Sequence, residues 1–450
     1  MPQDGPAVPA ADRAIGIGFY ATSAPGVPGR VKATPEEFRV REVSSYPRPD
    51  PAGPFTVLRL ESRGWEQHEL ADAVARRLGL PRRSISWSGT KDRRAVSERL
   101  FAYRGAPPAG DLGLRDVTLL DAYASREGLV LGRHYANAFE IHVGELADPP
   151  AAEAAYRAIE RELRAGAGVP NFFGPQRFGE VRPITHEVGR WIVRGDLARA
   201  VDVYLIDRPG TGSEGIGDAA RAAYAEHRDP ARALREFPGE YRFERSILER
   251  LARGDRPERA LRALPYELRR LFVHAYQSYL FNRHLSARRS AGLPLGRPVA
   301  GDTIVRLGRD GTYRGQDVAA VAEENLPECD DLVRRGRALV AGPLVGAATV
   351  VADGPSGRLL RTILAEEGVE PRAFVVPVAP ELGSEGTWRA LVVPLPPLEL
   401  RADASGVWFR FALPKGAYAT VLLREFLKGM PAPSGPEGEP PDEAPEPPAG

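Results

Sequence analysis

Cysteine occurs once in this chain of 450 residues, at Cys329, and histidine only seven times. A lone thiol excludes an internal disulfide, and with no Cys pair and no His-Glu-x-x-His spacing the sequence offers no metal site. Long apolar runs are also missing. None reaches the roughly 18 residues that a spanning helix needs, and Met1 to Ala10 lacks the basic start and apolar stretch of a secretory signal. A cytoplasmic protein without membrane contact is the expectation. Lysine is scarce as well, four residues (Lys32, Lys91, Lys415 and Lys428) among 61 bases. None of the four follows a glycine, so the Gly-Lys-Ser/Thr end of a phosphate loop is excluded.

What is present is an ordinary globular composition, 43% hydrophobic and 27% charged. The length calls for at least two cores. The net charge of +1 hides a division: residues 431–450 carry eight prolines, five acids and no base. That is the composition of a disordered tail, and without it the rest of the chain is at +6, compatible with a polyanionic partner but not demanding one.

Periodicity then divides the chain. The first fifteen residues, rich in Pro and Ala, read as loose. Phe55 to Glu61 reads as a strand, and Glu66 to Leu80 as a helix with Leu70, Val74 and Leu78 on one stripe and Gly79 at its stop. Ser84 to Trp87 is again strand-like. Ala138 to Val143 places Phe139, Ile141 and Val143 on one face, and Ala152 to Arg164 aligns Tyr156, Ile159 and Leu163 along a helix. The middle is mainly helical over Glu187 to Leu205, Ser246 to Gly254 and Pro265 to Arg288, with β-like pieces at Thr303 to Leu307 and Ala338 to Val351. Val407, Phe409, Phe411 and Leu413 alternate as in a half-buried strand, and Tyr418 to Lys428 returns to helix. The pattern predicts a helix-rich domain inserted into a split α+β domain.

Four segments carry chemistry or imitate it. Gly210, Gly212 and Gly215 satisfy G-x-G-x-x-G, but Pro209 abuts them and helical sequence precedes them where a dinucleotide site needs a strand. In Ser88-Gly89-Thr90-Lys91-Asp92-Arg93-Arg94-Ala95-Val96, three cations within two positions hold Asp92 ionised at neutral pH, the state a nucleophile needs. A solvated turn in which Asp92 caps the next segment fits the same residues. Asn171-Phe172-Phe173-Gly174-Pro175-Gln176-Arg177-Phe178-Gly179 interleaves aromatic rings with an arginine and amides, as suits unstacked bases. A hydrophobic loop docking two domains fits it equally. His274 to Asn282 lies on a helix, where aromatic spacing reads as core.

These segments, with Lys32-Ala33-Thr34-Pro35-Glu36-Glu37-Phe38, Asn137-Ala138-Phe139 and Leu413-Pro414-Lys415-Gly416-Ala417-Tyr418-Ala419-Thr420, resemble in the same order the TruD family of tRNA pseudouridine synthases, over about Val31 to Lys428. The resemblance implies an α+β fold: a split pseudouridine-synthase-type catalytic domain with a mixed or antiparallel sheet, plus an inserted helix-rich TRUD domain. The boundaries expected are a flexible N-terminus over 1–29, the catalytic domain over 30–169 and 387–429, the insert over 170–386, and the acidic tail over 430–450. It implies isomerisation of a single flipped uridine in transfer RNA, at a D-arm, position-13-type site, by a monomer using no cofactor and no metal. Asp92 matches the catalytic aspartate. Phe38, Asn137, Phe139, Tyr418 and Lys32 match the substrate pocket, with Lys91, Arg93, Phe173, Gln176 and Arg177 as further RNA contacts. A non-catalytic RNA-binding or RNA-folding protein with the same pocket is the alternative.

Overall fold

The structure, a computed structural model, describes residues 6–44, 46–89, 95–130, 133–179, 182–207, 216–308 and 313–429. Among these residues a nine-stranded sheet gathers the two ends of the chain. Its order is Glu399–Ala402, Gly406–Pro414, Ala136–Gly144, Phe38–Val43, Val96–Arg104, Phe55–Arg63, Val117–Ser125, with Arg30–Val31 and Ser86–Trp87 at its borders. The sheet is mixed: Phe38–Val43 runs parallel to Val96–Arg104 and antiparallel to Ala136–Gly144.

A two-residue period builds this sheet, because successive side chains point to opposite faces. Along Phe38–Val43 the residues Phe38, Val40 and Glu42 are buried while Arg39 and Arg41 face water. Along Gly406–Pro414 the alternate residues Val407, Phe409, Phe411 and Leu413 are buried. Helices cover the apolar face, and Tyr156, Ile159 and Leu163 of the helix Pro149–Ala165 pack there with Phe409 and Phe426. The helix Gln67–Leu78 ends where expected, at Gly79, whose φ of 67° a side chain would oppose.

Between the two halves of the sheet the chain passes through a two-strand neck, Val169–Pro170 paired with Val392–Val393. Beyond the neck lie a helical core and a four-stranded sheet of Tyr313–Ala320, Thr303–Leu307, Ala338–Leu344 and Thr387–Ala390. The second catalytic segment was expected from 387, but Thr387–Ala390 pairs with Ala338–Leu344 and the chain rejoins the main sheet only at Glu399. Alternation alone cannot say which partner a short strand takes. The β-like run expected over 338–351 ends at Leu344. The helical run expected over 187–205 is two helices, Thr185–Val193 and Leu197–Ile206, parted by Gly195 at φ 82° and restarted by Asp196, whose carboxylate accepts from the Arg199 amide.

The helix Tyr266–Ser290 joins the cores. Leu271, Phe272 and Tyr276 belong to the helical core, and Ala275, Phe281 and Leu285 to the core under the main sheet. The helix Thr185–Val193 meets it at Gly189, where a Cβ would lie 1.8 Å from the Phe272 carbonyl oxygen. Within this helix His284 is 3% exposed, with Nε2 3.1 Å from both the carbonyl and the hydroxyl oxygen of Ser356. Burial holds its pKa down at about 4. The unfolded chain therefore binds more protons between about pH 6.5 and pH 4, so stability falls as pH drops through that window. From pH 7 to pH 5 the loss from this ring is about 2 kcal/mol. Urea unfolding at the two pH values checks this, and His284→Asn should flatten the difference by that amount.

The N-terminal segment departs from the expected flexible 1–29. Residues 10–14 form a helical turn, Ile15 and Ile17 are at most 1% exposed, and Asp12 pairs with Arg424 at 2.5 Å. The amides of Ala21 and Ser23 donate to Glu425 and Glu162. Ile15 and Ile17 join the core under the main sheet, the Ile15 and Gly16 carbonyls accept from Asn282 and Ser286 of the helix Tyr266–Ser290, and Asp12 and Ala21 tie the segment to the C-terminal helix Ala419–Leu427, a docking that Pro and Ala content obscures. Gly210, Gly212, Gly215 and the acidic tail lie outside the described residues, and the segment entering that glycine run is the helix Leu197–Ile206. Among the described residues no helix is long and apolar enough to cross a membrane.

Candidate active site

The strand register brings the two ends of the chain together at one place. Phe38 lies opposite Ile141, Val40 opposite Phe139 and Glu42 opposite Asn137, and on the other side Phe411 faces Phe139 while Leu413 faces Asn137. Three rings follow from this register: Phe38 and Phe139 meet edge to face at 6.0 Å, and Phe139 and Phe411 lie tilted by 31° at 5.4 Å. Lys32, in a left-handed conformation at φ 61°, sets its ammonium 4.3 Å from the Phe38 ring centre. The turn that delivers Phe38 is fixed by Glu37, which accepts from the Ala33 and Thr34 amides.

Beside these rings stands an acceptor in want of a donor. The Oδ1 atom of Asn137 is shielded from solvent and takes no hydrogen bond among the described residues. A buried polar atom left unpaired costs free energy comparable to a lost hydrogen bond, which a bound donor would recover. Next to aromatic walls, this amide oxygen suits an N–H on the edge of a planar base.

Tyr418 enters from the far end of the sequence, on the turn after Gly406–Pro414. The Lys415 amide donates to the Tyr135 carbonyl, and Arg389 donates to the carbonyl of Gly416. The Tyr418 ring is 6.1 Å from that of Phe173, edge on. Two residues further, Thr420 also carries a buried hydroxyl with no partner among the described residues.

Asp92, Lys91 and Arg93 lie outside the described residues, whereas both flanks of their segment are well fixed. Ser88 is 1% exposed, and its hydroxyl donates to Oε1 of Glu42 at 3.1 Å. The ring of His134 has Nδ1 3.1 Å from the Ser88 carbonyl and 3.8 Å from the same Glu42 oxygen. On the other flank Ala95 is fully buried and Val96 pairs with Arg39, next to Phe38. The chain thus leaves and re-enters the sheet beside the strand that carries Phe38, one strand away from that of Asn137. Glu42 and His134 were missed in the sequence. An acid in the apolar register of Phe38, Val40 and Glu42 was the signal that marked it.

The aromatic loop resolves differently from a base-stacking surface. Phe172, Phe173 and Phe178 are 1%, 5% and 0% exposed, so these rings are core. Phe173 is enclosed by Phe281 at 5.8 Å, by Tyr418 and by the Arg389 guanidinium at 3.9 Å. Asn282, fully buried, bonds both the amide and the carbonyl of Phe173 and the carbonyl of Ile15. Arg389 donates to the backbone and side chain of Asn171, whose own amide group donates to Ala390. The loop therefore docks the insert on the sheet domain, and Phe173 supports Tyr418 and Arg177 instead of offering its own open face. Gln176 and Arg177 stay half-exposed.

Comparison with known proteins extends this geometry. The family model described as tRNA pseudouridine synthase D (TruD) matches residues 14–426. A Halobacterium salinarum protein named "Probable tRNA pseudouridine synthase D" is 39% identical over 434 residues, covering 93% of this chain and 98% of its own. A relative of the same name from Thermococcus onnurineus is 37% identical over 416 residues, covering 91% and 97%. The crystal structure of a Methanosarcina mazei protein described as "Putative tRNA pseudouridine synthase D (TruD)" superposes with a TM-score of 0.81 at 32% identity, covering 94% of this chain and 99% of that one.

Proposed function

The chain belongs to the tRNA pseudouridine synthase D family, a family of isomerases, and we propose that it converts one uridine of a transfer RNA to pseudouridine with Asp92 as the reacting carboxylate. The observation that carries this reading is the unpaired Asn137 oxygen beside the Phe38, Phe139 and Phe411 rings, with the Phe38 strand paired to Val96–Arg104, the strand that follows the Asp92 segment in sequence. A uridine within folded RNA is out of reach until it is turned out of its stack, and a shielded pocket with ring faces and one polar acceptor suits an everted base.

The reaction breaks the bond from ribose C1′ to N1 and makes one from C1′ to C5. The proton on C5 leaves, N1 gains one, and the oxidation level is unchanged. A carboxylate promotes the first cleavage by attack at C1′, by addition to the base, or by taking a proton from C2′ to leave a glycal; all three use Asp92 in its ionised form. Lys91, Arg93 and Arg94 beside it in sequence favour that form. Asn137 orients the base through its free acceptor, Phe139 and Tyr418 stack or wall it, and Lys32 balances charge at the pocket rim. The target in this reading is a D-arm, position-13-type uridine, taken up by one copy of the chain.

The non-catalytic alternative keeps the pocket and discards the chemistry. Complementation separates the two: in a strain lacking the gene, Asp92→Asn protein restores normal biological output only if chemistry is not the role.

A further inference from the structure

Positions 270, 274 and 278 of the helix Tyr266–Ser290 fall four apart, so Arg270, His274 and Ser278 line one stripe, each about 6 Å from the next. Arg177 crosses from the aromatic loop onto the same stripe. Its Nε donates to the Ser278 hydroxyl at 3.3 Å, and that hydroxyl donates to the His274 carbonyl at 2.8 Å. The seam between the insert and the sheet domain therefore holds two guanidinium groups with an imidazole between them.

The charges here are incomplete. Burial holds the His274 pKa down at about 3, and the neighbouring cations Arg177 and Arg270 push it the same way. Arg177 has no ion pair among the described residues. Arg270, with a side chain 19% exposed, lies 5.5 Å from the Tyr266 ring centre and meets a single carboxylate among the described residues, Glu267 at 3.8 Å, which is 62% exposed, so that pair neutralises little. The His274 ring makes no hydrogen bond among the described residues, and being neutral it keeps one N–H to give. Two forked cations and an N–H, each partly buried, form the donor set that a phosphodiester oxygen pair takes. The site is also tied to the base pocket through one ring: Arg177 sits 5.6 Å from the Phe173 centre, and Phe173 meets Tyr418.

We infer that Arg177, Arg270 and His274 seat one backbone phosphate of the substrate RNA close to the everted nucleotide. The inference rests on RNA being the substrate and adds a contact on the insert side of the seam. A phosphate seat contributes affinity and register without reading sequence, and each one raises the salt dependence of binding.

The test measures the dissociation constant of the full-length chain for an unmodified tRNA transcript across a salt series, in wild type, Arg270→Gln and Arg270→Lys. Arg270→Gln should weaken binding roughly fivefold to tenfold and lower the slope of log K against log salt by about one, and Arg270→Lys should recover part of the slope. Unchanged affinity and slope in Arg270→Gln would overturn the seat. So would a Gln variant that loses thermal protection by inorganic phosphate while binding tRNA as wild type does, since the site would then take the free ion. Binding is measured without turnover, and pseudouridine formation by the wild type is scored separately, so a wrong seat and a wrong function give different results. If Arg270→Gln melts well below wild type, Arg177→Gln supplies the same readout.

Discussion

Asp92→Asn protein forms no detectable pseudouridine, a loss on the order of 10⁴-fold or more, while its affinity for the substrate tRNA stays within about threefold of wild type. The amide keeps the size and much of the hydrogen bonding of the carboxylate, but it has no negative charge with which to attack C1′ or the base, or to accept a proton from C2′. Binding is spared because the shielded rings, the Asn137 acceptor and the phosphate contacts lie on other residues. Tritium release from RNA labelled at uridine C5 reads the chemistry, and filter binding reads affinity. An Asn variant that retains a hundredth of the wild-type rate would remove Asp92 from the centre of the mechanism.

The second large effect concerns stability. Arg288 and Asp302 form a two-point ion pair, 2.6 and 2.7 Å, with side chains 0% and 1% exposed. Arg288 Nε also donates to the Pro294 carbonyl, and Asp302 accepts the Val299 amide, so each charge is enclosed in hydrogen bonds. The pair ties the joining helix Tyr266–Ser290 to the strand Thr303–Leu307 of the smaller sheet. Removing one partner leaves the other charged, dry and unpaired, and Arg288→Ala should cost about 3–5 kcal/mol. The double variant Arg288→Met with Asp302→Leu should recover most of that loss, because apolar residues of similar size replace a buried pair at little cost. Urea unfolding of the three proteins checks this; a loss under about 1 kcal/mol for Arg288→Ala would contradict the account.

How much of this was legible in the sequence depends on the kind of signal. The alternation of Val407, Phe409, Phe411 and Leu413 was read correctly, because a period of two has one meaning on a sheet with a single apolar face. The helix stop at Gly79 was equally plain. The loop Asn171 to Gly179 was open between two readings, since aromatic residues between glycines look alike whether a base or a neighbouring helix covers them. Its docking partner Asn282 was among the quoted residues but gave no sign of its three backbone contacts. Arg389 was illegible. It sits in Thr-Trp-Arg-Ala without a pattern, and its hold on Asn171 and Gly416 is made only by the fold. The candidate pocket was assembled in sequence by resemblance alone. The register supplies the physical reason why Phe38, Asn137 and Phe139 meet near Phe411, which no local pattern could give.

The most direct test of the central claim is site-resolved mapping of pseudouridine in an unmodified tRNA transcript incubated with the purified chain. The account predicts one new pseudouridine, at a single D-arm uridine, with tritium released from C5 in equal amount. A transcript that is bound tightly and recovered with every uridine intact would contradict it.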